Sequence, residues 1–250
     1  MRLNNLNGKA WIKLSKSVWI TQKLLHWSRS AKLTCDSTFI AIQHRNRKMD
    51  NRPLDTSRVS LIELFTQENE LVYDPNVQHG DTLAASLYAG REFIGIADTE
   101  QQAFDAVKYI DIQLWGKPYQ LFNRERNSNV LNLVDSELVD FILTEVPLFD
   151  FNSSAENYQR HIASIIDSIE NAVKKLKSTK HIALIIADQR YKDRFYCRHA
   201  DVLNALQGTN LTLQGVINVI RDSQALKAFG YPSTYVPNVI NHFVIIFRKK

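Results

Sequence analysis

The sequence predicts an α/β domain built on a mostly parallel, twisted and doubly wound sheet. Short apolar segments alternate with amphipathic helical patterns from residue 56 to residue 206, which is typical of repeated strand–helix units. Residues 182–187 are continuously apolar, as expected of a strand that is buried on both faces of a parallel sheet. The chain has 250 residues, of which 44% are hydrophobic and 23% are charged, and this composition excludes wholesale disorder.

The predicted elements follow one another in a regular order. The helices are expected at 56–67, 82–89, 99–113, 155–176 and 200–206, with Thr99 as a good N-cap for the third. The strands are expected at 70–73, 92–96, 139–144, 181–187, 211–220 and 239–248. No helix of comparable length separates the last two strands. We therefore expect these strands to pair antiparallel at an edge of a sheet of about seven strands.

The first 58 residues form a basic N-terminal segment, which we expect to pack on a core domain of residues 59–250. The segment contains 12 Lys and Arg but 3 Asp and Glu, a net charge of +9, whereas the other 192 residues carry −4; together they give the +5 of the chain. Residues 43–52 are polar and basic and predict a loop. One face of a predicted helix earlier in the segment is formed by Trp11, Leu14, Val18 and Leu25.

Two basic stretches are candidates for contact with nucleic-acid phosphates, and a pI of about 9.1 permits such a polyanionic partner. One lies in the loop 43–52 and the other follows the predicted strand 181–187. Charge runs are often only solvated surface, and for the second stretch a solvated loop is the competing interpretation. The candidate cations are Arg45, Arg47, Lys48, Arg190, Lys192 and Arg194.

Residues 71–96, LVYDPNVQHGDTLAASLYAGREFIGI, resemble the cofactor region of the amino-methyltransferases that modify adenine or cytosine in DNA. The family pattern is a strand, Asp-Pro-Phe-x-Gly-Ser-Gly-Thr-Thr, a helix, Gly-Arg and a strand ending in Gly-Ile-Glu. Residues 135–149, DSELVDFILTEVPLF, are similar to the strand that leads into the family's Asp-Pro-Pro-Tyr signature, and the likeness covers roughly residues 55–250. The matching positions are Asp74, Pro75, Gly80, Thr82, Gly90, Arg91, Gly95 and Ile96.

The resemblance implies a Rossmann-like methyltransferase fold, S-adenosylmethionine as the cofactor and DNA as the partner. In such enzymes the Asp-Pro-Pro-Tyr signature holds the exocyclic amine of a base flipped out of the duplex, and its tyrosine stacks on that base. The implied catalytic residues are Glu145, Pro147 and Phe149, where Phe149 would restore the stacking. The implied cofactor-binding residues are Asp74, Pro75, Gly80, Thr82, Gly95 and Asp98, and the spacing of Cys35 and Cys197 predicts no metal site.

Departures from the family pattern predict a damaged site. Gln78 replaces the glycine that lets the backbone approach the cofactor, and the chain has 8 glycines in all. Ala97 replaces the acid that binds the ribose; Asp98 comes one residue late, and capping the next helix is its competing role. Glu145 is longer than the family's aspartate, and Leu148 removes the stacking ring. For Asp74 and Gly80, a role as turn residues competes with cofactor contact.

We therefore predict a methyltransferase-like protein that is catalytically degenerate and acts as a nucleic-acid- or partner-binding subunit. Its partner would be DNA, or a protein such as an active methyltransferase or a subunit of a defence system. The alternatives are an active S-adenosylmethionine-dependent DNA amino-methyltransferase with an altered catalytic motif, and a relic pocket that binds another nucleotide. The apolar runs are far shorter than the ~20 residues that span a bilayer, and no secretory pattern is evident, so we expect a cytoplasmic protein without membrane contact.

Overall fold

The computed structural model describes residues 3–15, 17–21, 55–107, 118–125, 130–152, 157–221, 226, 233 and 235–250. Its strands are β1 (Val18–Thr21), β2 (Leu71–Asp74), β3 (Glu92–Ala97), β4 (Tyr119–Asn123), β5 (Val139–Glu145), β6 (Leu176–Ile186), β7 (Gln189–Tyr191), β8 (Arg194–Tyr196), β9 (Leu211–Arg221) and β10 (Asn241–Lys249). Its α-helices are α1 (Gly8–Leu14), α2 (Thr56–Phe65), α3 (Asp81–Tyr88), α4 (Glu100–Val107), α5 (Tyr158–Val173) and α6 (Arg198–Ala205). None of the helices within these ranges has the length and apolar character that crossing a bilayer requires.

Eight strands form one sheet in the order β1-β9-β10-β6-β5-β2-β3-β4. Seven of them run in the same direction, and β10 runs antiparallel between β6 and β9. The predicted α/β class and the antiparallel pairing of the last two strands are therefore confirmed, with β10 inside the sheet. The eighth strand is β1, which joins the outer side of β9 in parallel.

The N-terminal segment differs from its predicted pattern. Val18 does not continue a helical face with Trp11 and Leu14, because α1 ends at Leu14 and Val18 begins β1. The sequence Val-Trp-Ile-Thr is rich in β-branched and aromatic residues, which favour a strand. Earlier in the segment, the side-chain amide of Asn4 donates to the carbonyl oxygen of Leu64 at 2.5 Å, which links the segment to α2. The predicted loop 43–52 and Leu25 lie outside the described residues.

Helices cover both faces of the sheet, because neighbouring residues of a strand point to opposite sides. Phe141 belongs to the core between the sheet and α2, α3 and α4, whereas Ile142 belongs to the core beneath α5 and α6. The order of the sheet reverses between β2 and β5, since the chain proceeds from β2 to β3 on one side and returns to β5 on the other. In open α/β sheets, ligands bind at the carboxyl ends of the strands at such a point. Here those ends are Asp74 and Glu145.

His181 in β6 makes the stability of the fold depend on pH. Its ring lies 4.9 Å from the ring of Phe65, and burial, together with Arg248 and Lys180, lowers its pKa from 6.5 to about 4. The unfolded chain takes up this proton near pH 6.5 and the folded chain only near pH 4. The free energy of unfolding is therefore expected to fall, by about 1–2 kcal/mol for this partly exposed ring, as the pH drops through that window.

Urea unfolding at pH 7 and pH 4.5 measures this loss, with His181→Phe as the comparison. The variant keeps a ring against Phe65 but has no proton to bind. Its free energy of unfolding should therefore change less between the two pH values than that of the natural protein. An identical pH dependence in both proteins would show that His181 does not contribute.

Candidate functional site

A small cavity opens at the carboxyl ends of β2 and β5. The space between its walls is about 230 Å³, including the part that is open to solvent. The cavity brings part of the predicted cofactor set together with the predicted catalytic Glu145. The residues that line it are Arg58, Asp74, Asn76, Gln78, His79, Gly80, Asp81, Thr82 and Glu145.

Arg58 extends from α2 into this cavity, and its guanidinium contacts three side chains. Its Nε donates to Oδ2 of Asp55 at 3.1 Å, and its Nη1 donates to Oγ1 of Thr82 at 3.1 Å. Its Nη2 forms a short ion pair with Oε2 of Glu145. Arg58 is only 5% exposed, so this guanidinium is a buried cation at the centre of the site. Sequence reasoning missed Arg58, although its position three residues after the N-cap Asp55 was a signal for a local ion pair.

The guanidinium of Arg58 is a single cation that faces several carboxylates in and around the cavity. Burial raises the pKa of Asp74, although the N–H of Asn76 and the guanidinium of Arg58 act in the opposite direction. Burial alone would also raise the pKa of Asp55, but Arg58 and the bonds from Ser57 outweigh it and lower that pKa. Burial disfavours the cation of Arg58, yet Asp55 and Glu145 outweigh it and raise its pKa. Arg58 therefore stays charged and compensates the buried acids.

The loop after β2 is tied to the end of β5 by the two amides that depart from the family pattern. The side-chain amide of Asn76 donates to the backbone carbonyl oxygen of Glu145 at 3.1 Å. The amide of Gln78 reaches the same oxygen at 3.5 Å. These bonds hold the loop against the end of β5, and they are made by the two residues that stand where the family pattern has phenylalanine and glycine.

Both glycines of the predicted cofactor set are required by internal packing. Gly80 has φ +81°, and a Cβ atom there would come within 2.5 Å of the carbonyl oxygen of Ala106 in α4. A Cβ atom at Gly95 would come within 2.5 Å of Cγ2 of Val77, which folds back from the loop into the core. These contacts account for both glycines without a ligand, and for Gly80 they correspond to the turn role that competes with cofactor contact.

Asp98 lies beside Arg124 at the ends of β3 and β4. Oδ1 of Asp98 is 3.2 Å from Nε of Arg124, and both side chains are largely exposed. Nη2 of Arg124 also donates to the carbonyl oxygen of Pro75 at 3.3 Å, so Arg124 spans three loops at this edge. Thr99 and Gln102 cap α4 reciprocally, which confirms Thr99 as the N-cap and leaves the Asp98 carboxylate out of the cap.

The predicted catalytic residues separate in the structure. Glu145 lines the cavity, whereas Pro147 and Phe149 are not among its lining residues. The carbonyl oxygen of Pro147 accepts a hydrogen bond from Nη2 of Arg198 and lies 3.3 Å from Nε2 of His161. Phe149 is 7% exposed and belongs to an aromatic cluster, while Leu148 is 60% exposed. The cluster consists of Phe149, Phe151, Tyr158, His161, Tyr191 and Tyr196.

The second basic stretch is a hairpin, which corrects the interpretation as a plain loop. Strands β7 and β8 pair antiparallel, and Lys192 adopts φ 53° in the turn between them. The strands are short and rich in charge, so their sequence lacks the apolar alternation that predicts a strand. The hairpin carries the predicted cations Arg190, Lys192 and Arg194, whereas Arg45, Arg47 and Lys48 lie outside the described residues. Across the described ranges, no group of three or more potential ligands is arranged to hold a metal ion.

No protein-family model and no curated protein matches this sequence. Solved structures match its fold. TrmN from Thermus thermophilus has a TM-score of 0.54 at 14% identity over 78% of this chain and 48% of its own, so this chain spans about half the length of TrmN. A SAM-dependent methyltransferase from Methanosarcina mazei has a TM-score of 0.51 at 15% identity, over 76% of this chain and 96% of its own. A proposed rRNA methylase from Clostridium thermocellum has a TM-score of 0.50 at 14% identity, over 78% of this chain and 96% of its own. The predicted Rossmann-like methyltransferase fold is confirmed.

Proposed function

We propose that this chain is a methyltransferase-fold protein that binds nucleic acid and does not transfer a methyl group. The observation that carries the proposal is the position of Arg58, whose guanidinium lies between Thr82 at the start of α3 and Glu145 at the end of β5. S-adenosylmethionine brings a sulfonium cation, and Arg58 already places a cation against Glu145 and near the buried Asp74. We therefore propose that this cavity does not accept the cofactor.

Two features oppose entry of the cofactor. Opening the cavity requires breaking the ion pair between the buried Arg58 and the partly exposed Glu145. The amides of Asn76 and Gln78 also hold the loop after β2 against the end of β5.

Nucleic acid is the proposed ligand because the positive charge of the chain is concentrated in discrete places. The segment 1–58 carries the whole positive excess, and the β7–β8 hairpin presents three cations at the same edge of the sheet as the cavity. The resemblance to DNA amino-methyltransferases favours DNA, and the fold shared with a proposed rRNA methylase makes RNA the second polyanion to test. A protein partner, such as an active methyltransferase or a defence-system subunit, remains the other proposal for a binding subunit.

Titration calorimetry with S-adenosylmethionine tests the loss of methyl transfer. We expect no binding heat from the natural protein at 1 mM cofactor, a concentration about 1,000-fold above a micromolar dissociation constant. Arg58→Met serves as the comparison, because it removes the cation and keeps much of the apolar stem. Micromolar binding to the natural protein would overturn the proposal; binding to a folded Arg58→Met variant alone would identify Arg58 as the group that excludes the cofactor.

The alternative of an active enzyme with an altered motif is favoured by one observation. Asp74, Thr82 and Glu145 converge on the same cavity, as a cofactor site and a catalytic carboxylate would have to do. This alternative requires that Arg58 leave the cavity when substrate binds. It predicts incorporation of labelled methyl groups from S-adenosylmethionine into DNA, and loss of that incorporation in Glu145→Ala.

A further inference from the structure

The two faces of the β7–β8 hairpin differ in what they contact. Gln189, Tyr191 and Tyr196 face the loop after β5: Gln189 exchanges hydrogen bonds with the backbone of Phe149 at 2.8 and 3.1 Å, and Tyr191 stacks on Phe151 at 4.7 Å between ring centres. Residues directly opposite in an antiparallel pair share a face, and neighbours along a strand alternate. The pair formed by Arg190 and Phe195 therefore points away from that loop.

The hairpin combines an exposed ring with cations that have no ion-pair partner in the described part of the chain. On the outer face, Phe195 is 38% exposed, and Cζ of Arg190 lies 5.6 Å from its ring centre. Lys192 lies in the turn, and Arg194 lies opposite Tyr191 and therefore on the inner face. Both are exposed, and each lies over a tyrosine ring of that face, at 5.2 and 4.8 Å from the ring centre. No ion pair among the described residues involves any of the three cations.

The inner face holds the hairpin in place, so the outer face is presented in a fixed geometry. Tyr196 packs against Phe151 at 4.6 Å and against Tyr158 of α5 at 4.9 Å. The two hydrogen bonds between the Gln189 side chain and the backbone of Phe149 attach the first strand of the hairpin to the loop after β5. A surface that is ordered before binding loses less conformational entropy when a ligand binds.

We infer that the β7–β8 hairpin binds single-stranded nucleic acid, with an unpaired base stacked on Phe195 of its outer face and phosphates contacting the exposed cations Arg190, Lys192 and Arg194. This inference rests on the proposed nucleic-acid binding and adds the strand class and the base contact. A ring at the surface stacks on bases only where their faces are free, which excludes the interior of a duplex. Cations beside an aromatic ring match the alternation of phosphates and bases along a single strand.

Fluorescence anisotropy with labelled 12-nucleotide oligo(dT) and oligo(U), and with a 12-base-pair duplex, tests the inference across a series of salt concentrations. We expect the natural protein to bind at least one of the single strands about ten-fold or more tightly than the duplex. Phe195→Ala should weaken single-strand binding roughly 5- to 100-fold without changing the salt slope. The triple variant Arg190→Gln, Lys192→Gln, Arg194→Gln should reduce that slope by about 2.

Two control variants test whether a loss of binding comes from the proposed surface or from a general change in folding or charge. Phe195→Trp keeps a stacking ring and should retain binding, while the triple variant Lys174→Gln, Lys175→Gln, Lys250→Gln removes the same charge at the opposite edge of the sheet and should change the slope less. Unchanged single-strand binding in Phe195→Ala, or equal effects of the two triple variants, would overturn the inference while leaving nucleic-acid binding elsewhere on the chain. No binding of any oligonucleotide by the natural protein would overturn the proposed nucleic-acid function itself.

Discussion

Replacing Arg58 with methionine is expected to lower the free energy of unfolding by about 3–5 kcal/mol. The variant leaves Asp55 and Glu145 without their ion-pair partner and removes the guanidinium that acts on the buried Asp74. Methionine preserves much of the apolar stem, so the decrease in the free energy of unfolding reflects the loss of the charge and of the hydrogen bonds of the guanidinium. Urea unfolding at pH 7 measures it.

The matched control for Arg58 is Arg124→Met. Arg124 also pairs with a carboxylate at the carboxyl edge of the sheet, but both partners are largely exposed, and its loss should cost about 1 kcal/mol or less. A double variant of Arg58→Met with Glu145→Leu should recover part of the loss, because no unpaired Glu145 carboxylate remains. Equal effects of Arg58→Met and Arg124→Met would contradict the description of Arg58 as a buried structural cation.

Replacing Arg198 with methionine is expected to cost about 3 kcal/mol or more. Arg198 has no exposed surface, and its guanidinium donates to the carbonyl oxygens of Ala187 at 2.8 Å and of Pro147. These bonds join the chain segments that follow β5 and β6 to the first residue of α6. Methionine fills similar space but leaves both carbonyl oxygens without this charged donor, and each such bond is worth about 1.5–3 kcal/mol.

Thermal and urea unfolding of Arg198→Met and Arg198→Lys measure this contribution. Lysine keeps the charge but has a single ammonium group in place of the two-pronged guanidinium, so an intermediate loss is expected. A methionine variant as stable as the natural protein would show that the two carbonyl oxygens find other donors. The ordering of the three proteins therefore tests whether the fork geometry, and not only the charge, supports the loop after β5.

The parts of the fold that were predictable from sequence are those governed by local pattern. The apolar run of β6 and the N-cap at Thr99 each depend on neighbouring residues, and the structure confirms both. Asp74 and Glu145, which the resemblance implied as site residues, lie together because parallel strands end at one edge of the sheet. Strand β4 was missed, as was the hairpin, whose short strands have no apolar alternation.

The content of the cavity was not predictable from local pattern. The contact between Arg58 and Glu145 joins residues 87 positions apart, and nothing in the sequence near either residue specifies the other. The same holds for Arg124 and Pro75, which are 49 positions apart. Sequence reasoning located the departures from the family pattern at the missing glycine and aromatic residues, but only the folded chain shows that the Arg58 side chain lies in the cavity.

The position of β10 in the sheet determines the order in which the strands can pair during synthesis. In the described sheet, β9 is held to β6 only through β10, and β1 is held only through β9. On the ribosome, β2, β3, β5 and β6 can pair as they emerge. Strands β9 and β1 cannot join the sheet until residues 241–249, which form β10, have left the exit tunnel. Strand β1 is thus made before the other strands of the described sheet but is among the last to be secured, and a chain that stops before β10 loses three strands together.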